Sequence, residues 1–372
     1  MPGPGKVINM FSPQISASAL KRVSEVMHTP MVGQGRTVDE FEQGIEKTLG
    51  LNQVIVVNNS SSAIRLALDI CGVRPGDEVI TTPLTCTLTN HPILEQFAKP
   101  VFADIQTDTG NIDPKDIAKR ITPKTKALLC THWGGTPCDL DELNLIANKY
   151  NLALIEDASE AFGATYRGRF IGSHSRFVAF SFHAIQIITA GEGGALVAQD
   201  QADGELARKK RWYGIDRLNR RPNVLGYYDF DIDTVGFGYY LTNIAAAIGI
   251  ENLATLQAQQ PYRCSIANMY REGLGGISGL TLLKQHDDRV SAHHFFTVLV
   301  ERREDFCRKL HSAGIGVSIV HARNDEYTIF GGLRHDLLNL ERFSKSYIGL
   351  PIHMGLTFKE VDYIINLIRG GW

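Results

Sequence analysis

The 372-residue sequence has no apolar run approaching the ~18 residues of a membrane span, so nothing in it asks for a bilayer. It also lacks a charge imbalance. Its 38 Lys and Arg face 40 Asp and Glu, which leaves no field to gather nucleic acid, and the short basic run Arg208 to Arg211 reads as a solvated helix face. The six cysteines (Cys71, Cys86, Cys130, Cys138, Cys264, Cys307) include no C-x-x-C pair, which argues against a zinc knuckle or a dithiol redox site. His293 and His294 have no acidic or cysteine partners at ligand spacing, so no metal is expected. The opening MPGPGKVINMF lacks the basic start and apolar core of a secretory leader, and the expectation is a reduced, cytoplasmic protein. No internal repeat, low-complexity tract or flexible linker interrupts the chain.

The length exceeds one core of usual size, so a large domain with a smaller one is expected. From Val54 to Val197, short β-branched runs (VIVVN, EVITTP, PVFADI, KALLCTHW, LALIEDA, FVAFSFH, GGALVA) alternate with amphipathic stretches of about ten residues. This pattern predicts an α/β fold, a mostly parallel seven-stranded sheet between two helix layers. Past Thr242, NIAAAIGIENLATLQ reads as one long, tightly packed helix. The tail reads as α+β: HHFFTVLV and GVSIVH as strands, REDFCRKLHSAG as a helix, and a final helix opened by a Thr357/Glu360 capping box. The expected division is a large domain over 12–250 and a small C-terminal domain over 251–372.

Several segments could carry chemistry. Asp157 ends a buried hydrophobic strand at its carboxyl end, the sheet edge where α/β proteins bind ligands; it could cap a helix or hold a cationic ring nitrogen. Ser60, Ser61 and Ser62 open a helix whose free N–H groups suit a phosphate, or serve as an ordinary cap. Ser181 leaves a strand shortly before the glycine turn Gly191 to Gly194. His132 and Trp133 end another strand, as a site wall or as a core cap. Arg323, Asn324 and Asp325 suit a sugar or a pyrophosphate, or a surface turn. No G-x-G-x-x-G follows the first strand, where NNSSSA stands instead, which disfavours a dinucleotide-binding oxidoreductase.

Taken together, these pieces and their order resemble the DegT/StrS family of sugar aminotransferases, fold type I pyridoxal phosphate enzymes acting on nucleotide-linked keto sugars. The likeness runs through VGQGRTVDEFEQGIEKTLG, GDEVITTPLTCTLTNHPI, FADIQTDTGNIDPKDIAKRITPKTKAL, IEDASEAFGA, SFHAIQIITAGEGG and GFGYYLTNIAAAIGIENL. The resemblance implies that Asp157 holds the pyridine nitrogen and that Glu160 backs the ring oxygen. Ser181, Ser60 and Ser61 would hold the phosphate. Cys86 stands where relatives stack an aromatic ring, Gly238 where an asparagine reaches the partner's phosphate, and His321 in the loop that lines the sugar site with Arg323 and Asn324; Trp133 is a further candidate for the substrate side.

The Schiff-base lysine falls on Gln186. A carboxamide cannot condense with an aldehyde or shuttle a proton, so this chain is expected to bind pyridoxal or pyridoxamine phosphate without turning over. Three explanations follow: an engineered Lys to Gln trap in an ordinary aminotransferase, a natural pyridoxamine-phosphate sugar 3-dehydratase relative using His183, or a non-catalytic binding partner. The parent activity implied is amination of a nucleotide-linked keto-deoxy sugar with glutamate as donor, in bacterial glycan or glycosylated-metabolite assembly, by a homodimer that binds neither nucleic acid nor membrane.

Overall fold

The computed structural model describes residues 7–372. Its strands are β1 (Val54–Val57), β2 (Glu78–Thr81), β3 (Lys99–Phe102), β4 (Thr125–Thr131), β5 (Ala153–Asp157), β6 (Thr165–Tyr166), β7 (Arg169–Phe170), β8 (Phe177–Ser181), β9 (Gly194–Ala198), β10 (Arg221–Pro222), β11 (Tyr228–Asp229), β12 (Leu280–Leu282), β13 (Arg289–Val290), β14 (Phe296–Val300) and β15 (Tyr347–Leu350). The α-helices are α1 (Ala17–Met27), α2 (Arg36–Leu49), α3 (Ser60–Ile70), α4 (Thr87–Glu95), α5 (Pro114–Arg120), α6 (Leu140–Tyr150), α7 (Gln201–Arg211), α8 (Asn243–Leu253), α9 (Leu256–Leu274), α10 (Arg303–Ser312), α11 (Leu338–Ser346) and α12 (Phe358–Arg369).

All seven expected strands of the large sheet form, in the order β1-β9-β8-β5-β4-β2-β3. Only β9 runs against its neighbours. Both faces are covered, because alternate side chains point to opposite sides. Val54 and Val56 pack with Phe41 and Ile45 of α2 on one face, while Ile55 and Val57 pack with Ile64 and Ala67 of α3 on the other. The strands other than β9 end at one edge, where Gly194 pairs with both Val57 and Ser181 and Asp157 pairs with Thr131 and Ala179.

A second core gathers Ile266 and Tyr270 of α9, Phe296 and Val298 of β14, Ile348 of β15 and Ile364 of α12, and takes in Ile8 from the chain start. Between the two lies a third cluster, in which Leu84, Phe102 and Trp133 meet Phe295, Leu340, Phe343 and Tyr347. The capping box is present: Thr357 accepts from Glu360 N, and the Glu360 carboxylate accepts from Thr357 N.

Three expectations on the tail need correction. The single helix past Thr242 is broken after Leu253, where the Thr255 hydroxyl donates to the Asn252 carbonyl at 2.6 Å and competes with the helix ladder. The strand read from His293 starts at Phe296, because His293 sits at φ 51°, outside extended backbone. GVSIVH makes only one isolated bridge, Ser318 with Gly349, just after the bridge of Ile315 with Ile8; beyond it His321 turns away to Glu160 and its carbonyl accepts from the Tyr347 hydroxyl.

Candidate functional site

Asp157 stands at the end of β5, 3% exposed. Its Oδ2 accepts from Thr89 Oγ1 at 2.5 Å, and its Oδ1 from Ser159 N at 3.0 Å and Ser159 Oγ at 2.6 Å. Among the described residues no Lys, Arg or His pairs with it. Three donors hold the buried carboxyl group in place at this edge of the sheet. Ser159 was within reach of sequence reasoning, two residues along; Thr89, from α4, carried no such signal.

Beside it the α3 start meets β9. Asn59 caps the helix by accepting from Ser62 N at 2.8 Å, which leaves the Ser60 and Ser61 N–H groups without a backbone acceptor among the described residues. Ser61 Oγ donates to the Leu88 carbonyl at 2.9 Å. Gly194 makes the approach possible: a methyl group there would lie 2.4 Å from the Asn59 carbonyl carbon and 2.6 Å from Ser60 N. Buried Ser181, paired with Gly194, accepts from His183 N at 3.3 Å. Helix start, glycine and serine thus meet at one edge of the sheet, where the first N–H groups of α3 suit an anion.

Glu160 lies behind the Trp133–Gly135 turn. Its carboxylate accepts from His321 Nε2 at 2.7 Å and from Gly134 N at 2.8 Å. Burial raises its carboxyl, but the His321 bond and charge, the nearby His294 and the Gly134 N–H together hold it below the ordinary value. The Gly134 contact was invisible in the sequence. Cys86, the N-cap of α4, is in the same neighbourhood: burial pushes its thiol up, and the charges of Asp157 and Glu160 push the same way.

Other candidates are brought elsewhere. Trp133 is enclosed, its indole N–H donating to Thr297 Oγ1 at 3.1 Å and its rings packed edge-on against Phe295, Phe343 and Tyr347. His132 is buried against Glu156 at 2.8 Å. Arg323 and Asn324 are buried too: the Arg323 guanidinium grips Asp325 at 2.7 Å and Glu341, and Asn324 donates to the Thr85 carbonyl at 2.7 Å while accepting from Asn90 at 2.8 Å. The turn expected to meet a sugar through these side chains has used their donors inside the protein.

Gln186 closes a turn, its N–H donating to the His183 carbonyl at 3.0 Å. Its side-chain oxygen is buried without a donor among the described residues, in a small pocket shared with Phe11, Gln259, Arg263 and His294. His183 is 48% exposed at its side chain and faces Glu192 at 3.4 Å, outside this pocket. Gly238 is pinned by packing: a methyl group there would sit 2.3 Å from the Tyr213 hydroxyl oxygen.

The chain matches the DegT/DnrJ/EryC1/StrS aminotransferase family over residues 13–369. GDP-perosamine synthase of Caulobacter vibrioides is 33% identical, over 96% of this chain and 96% of that protein. The crystal structure of AtS13 from Actinomadura melliaura superposes with a TM-score of 0.94 at 35% identity, covering 99% of this chain and 100% of that one. The PLP form of Spr1654 from Streptococcus pneumoniae, 25% identical, superposes at a TM-score of 0.91 over 98% of each chain. The chain belongs to this aminotransferase family, and its architecture is that of a fold type I pyridoxal phosphate-dependent transferase.

Proposed function

We propose that this chain holds the active site of an aminotransferase for a nucleotide-linked keto-deoxy sugar, with pyridoxal or pyridoxamine phosphate as cofactor and glutamate as amino donor, disarmed at Gln186. The observation that carries the reading is Asp157, a buried carboxylate held by three donors and, among the described residues, by no cation, at the same sheet edge as Ser181 and the Ser60 and Ser61 N–H groups that no backbone acceptor takes. Those residues fit the cofactor: the anion suits a protonated ring nitrogen and the donor edge suits a phosphate. When bound, the cofactor supplies an electron sink for bonds at the amino-bearing carbon.

The chain's own residues divide the remaining work. Asp157 would keep the ring nitrogen protonated, Glu160 would stand by the ring oxygen, held by its hydrogen bond from His321, and Cys86 would cover the ring. His321, half-buried, remains the loop residue available to a sugar. Gln186 can neither accept nor deliver a proton, so the chain binds without turning over. The intact surroundings of that residue favour a Lys to Gln exchange in an otherwise ordinary aminotransferase. A dehydratase using His183 has less support, since that ring faces solvent and Glu192. The nucleotide-linked amino sugar in the name of the Caulobacter relative supports the substrate class.

We further propose a cytoplasmic homodimer. The segment from Tyr213 to Val235 exposes Leu218, Val224, Leu225, Tyr227 and Val235, an apolar arm suited to a second copy. The test of function is Gln186→Lys, assayed for amino transfer from glutamate to a nucleotide-linked 4-keto-6-deoxy sugar. Restored transfer is expected; a folded, cofactor-loaded variant that stays inactive on GDP-, UDP- and dTDP-linked substrates would overturn the reading.

A further inference from the structure

The small pocket at Gln186, about 10 Å³ and so roughly the size of one water, is closed by four distant parts of the chain: Phe11 to Gln14, Arg263 on α9, His294, and Ile352 with His353. No Asp or Glu lines it, and its one permanent charge is the buried guanidinium of Arg263. Arg263 Nη1 donates to the His293 carbonyl at 3.2 Å and to the Ile352 carbonyl at 3.1 Å, while its Nε is buried without a partner among the described residues. The two carbonyls fix the group without cancelling its charge. Burial alone pulls its pKa down to about 10, with no carboxylate to raise it, so it stays a cation at neutral pH.

The groups around the pocket do not offset that cation. Burial first, and then the charges of Arg271 and Arg263, push His293 down to about 4; burial, with Arg263 again adding to it, takes His294 to the same value. Both rings are neutral above that pH. His353 faces the Asn9 carbonyl through Nε2 at 3.1 Å. Glu160 acts on His294 from outside the pocket, its carboxylate already taken by His321 and the Gly134 N–H. In the loop that carries Gln186, Glu192 faces His183 at 3.4 Å and neither lines the pocket. Position 186 is half-buried, so an ammonium there would share a poorly solvated space with a second cation, and a like charge disfavours the charged form.

We propose that Arg263 is a positioning residue for the slot at 186: its uncancelled charge keeps an amine at that position unprotonated, the form whose lone pair can add to a carbonyl carbon. This rests on the function proposed above, in which the parent enzyme carries a lysine there. Arg263 acts through that amine and through no contact with cofactor or sugar, and the two carbonyls that hold it keep the charge in place.

The test uses the full chain without cofactor. Gln186→Lys is labelled with a trace of acetic anhydride across the pH range, and mass spectrometry reads each lysine, with exposed Lys126 on β4 as the internal reference. The introduced amine is expected to titrate at least about one pH unit below Lys126. Adding Arg263→Gln should return it toward the reference, about a tenfold drop in labelling at a fixed pH below both values. Gln259→Met, which alters the same pocket without touching its charge, should leave the titration low, whereas a merely structural role for Arg263 would move both variants or neither. If Arg263→Gln loses the parental melting temperature, Arg263→Met, which keeps the apolar stem, replaces it. An ordinary lysine titration at 186, or a low one unmoved by loss of the Arg263 charge, overturns the assignment. A low titration in a Gln186→Lys chain that still transfers no amine would instead sink the function proposed above and leave this inference standing.

Discussion

Replacing Asp157 by Asn removes one charge and little else, so it separates the electrostatic role of the residue from its structural one. Oδ1 can still accept from Ser159 N and Oγ. The new amide nitrogen takes the place of Oδ2, and the Thr89 hydroxyl, now unable to donate there, can turn to Thr85 Oγ1 at 2.9 Å. Without cofactor, a buried uncompensated charge has been removed, so apo stability should stay within about 1 kcal/mol or rise. With cofactor, a hydrogen bond to a charged group is lost, worth about 1.5–3 kcal/mol, or roughly a tenfold to hundredfold weaker dissociation constant. Linkage carries that into stability: cofactor at a hundred times the original constant stabilises the parent chain by about 2.7 kcal/mol, and the variant by about 0.4–1.4 kcal/mol. The assay is an absorbance titration with pyridoxal phosphate beside thermal melts of both forms. Undiminished cofactor affinity in a folded Asp157→Asn chain would refute the reasoning, because the carboxylate would then have no cation to serve.

Arg323→Ala should destabilise the fold by about 3–5 kcal/mol in urea unfolding, since Asp325 is fully buried and loses the guanidinium that compensates it. A variant of parental stability with a raised KM for the sugar would show that the residue contacts substrate after all. For His294, burial sets the folded pKa at about 4 against an ordinary 6.5, so its contribution to stability is complete above pH 6.5 and is lost as the pH falls toward 4, on the order of 3 kcal/mol. His294→Leu should flatten the unfolding midpoint across that window, and an unaltered slope would count against a neutral buried ring.

How much was legible in the sequence follows from how far away each residue's partner lies. The strands of the large sheet could be read because alternation places Val54 and Val56 on one face and Ile55 and Val57 on the other, whatever the rest of the chain does. The Thr357/Glu360 box closes within four residues and leaves a local mark, whereas the α3 cap, read from the three serines, is made by Asn59 just before them. The break between α8 and α9 was also local, yet a threonine hydroxyl turning back on Asn252 looks like any other threonine in a helical run. Asn324 is the opposite case. Its partners, Asn90 and Thr85, lie more than two hundred residues earlier, and only the folded chain brings them together.

The same distinction explains why the loop from Val320 to Tyr327 misleads. Three consecutive polar residues, Arg323, Asn324 and Asp325, have the composition of an exposed turn, and polar groups are buried only where partners wait. Here the partners wait on three elements: Glu341 on α11, Asn90 on α4 and the carbonyl of Thr85 before it. The loop is thus anchored by the side chains that look most available. The side chains left over are His321, against Glu160, and the partly exposed Tyr327. Substitutions at His321 and Tyr327 can therefore change what the loop meets while its anchor holds, whereas substitutions at Arg323 or Asn324 dismantle the anchor first.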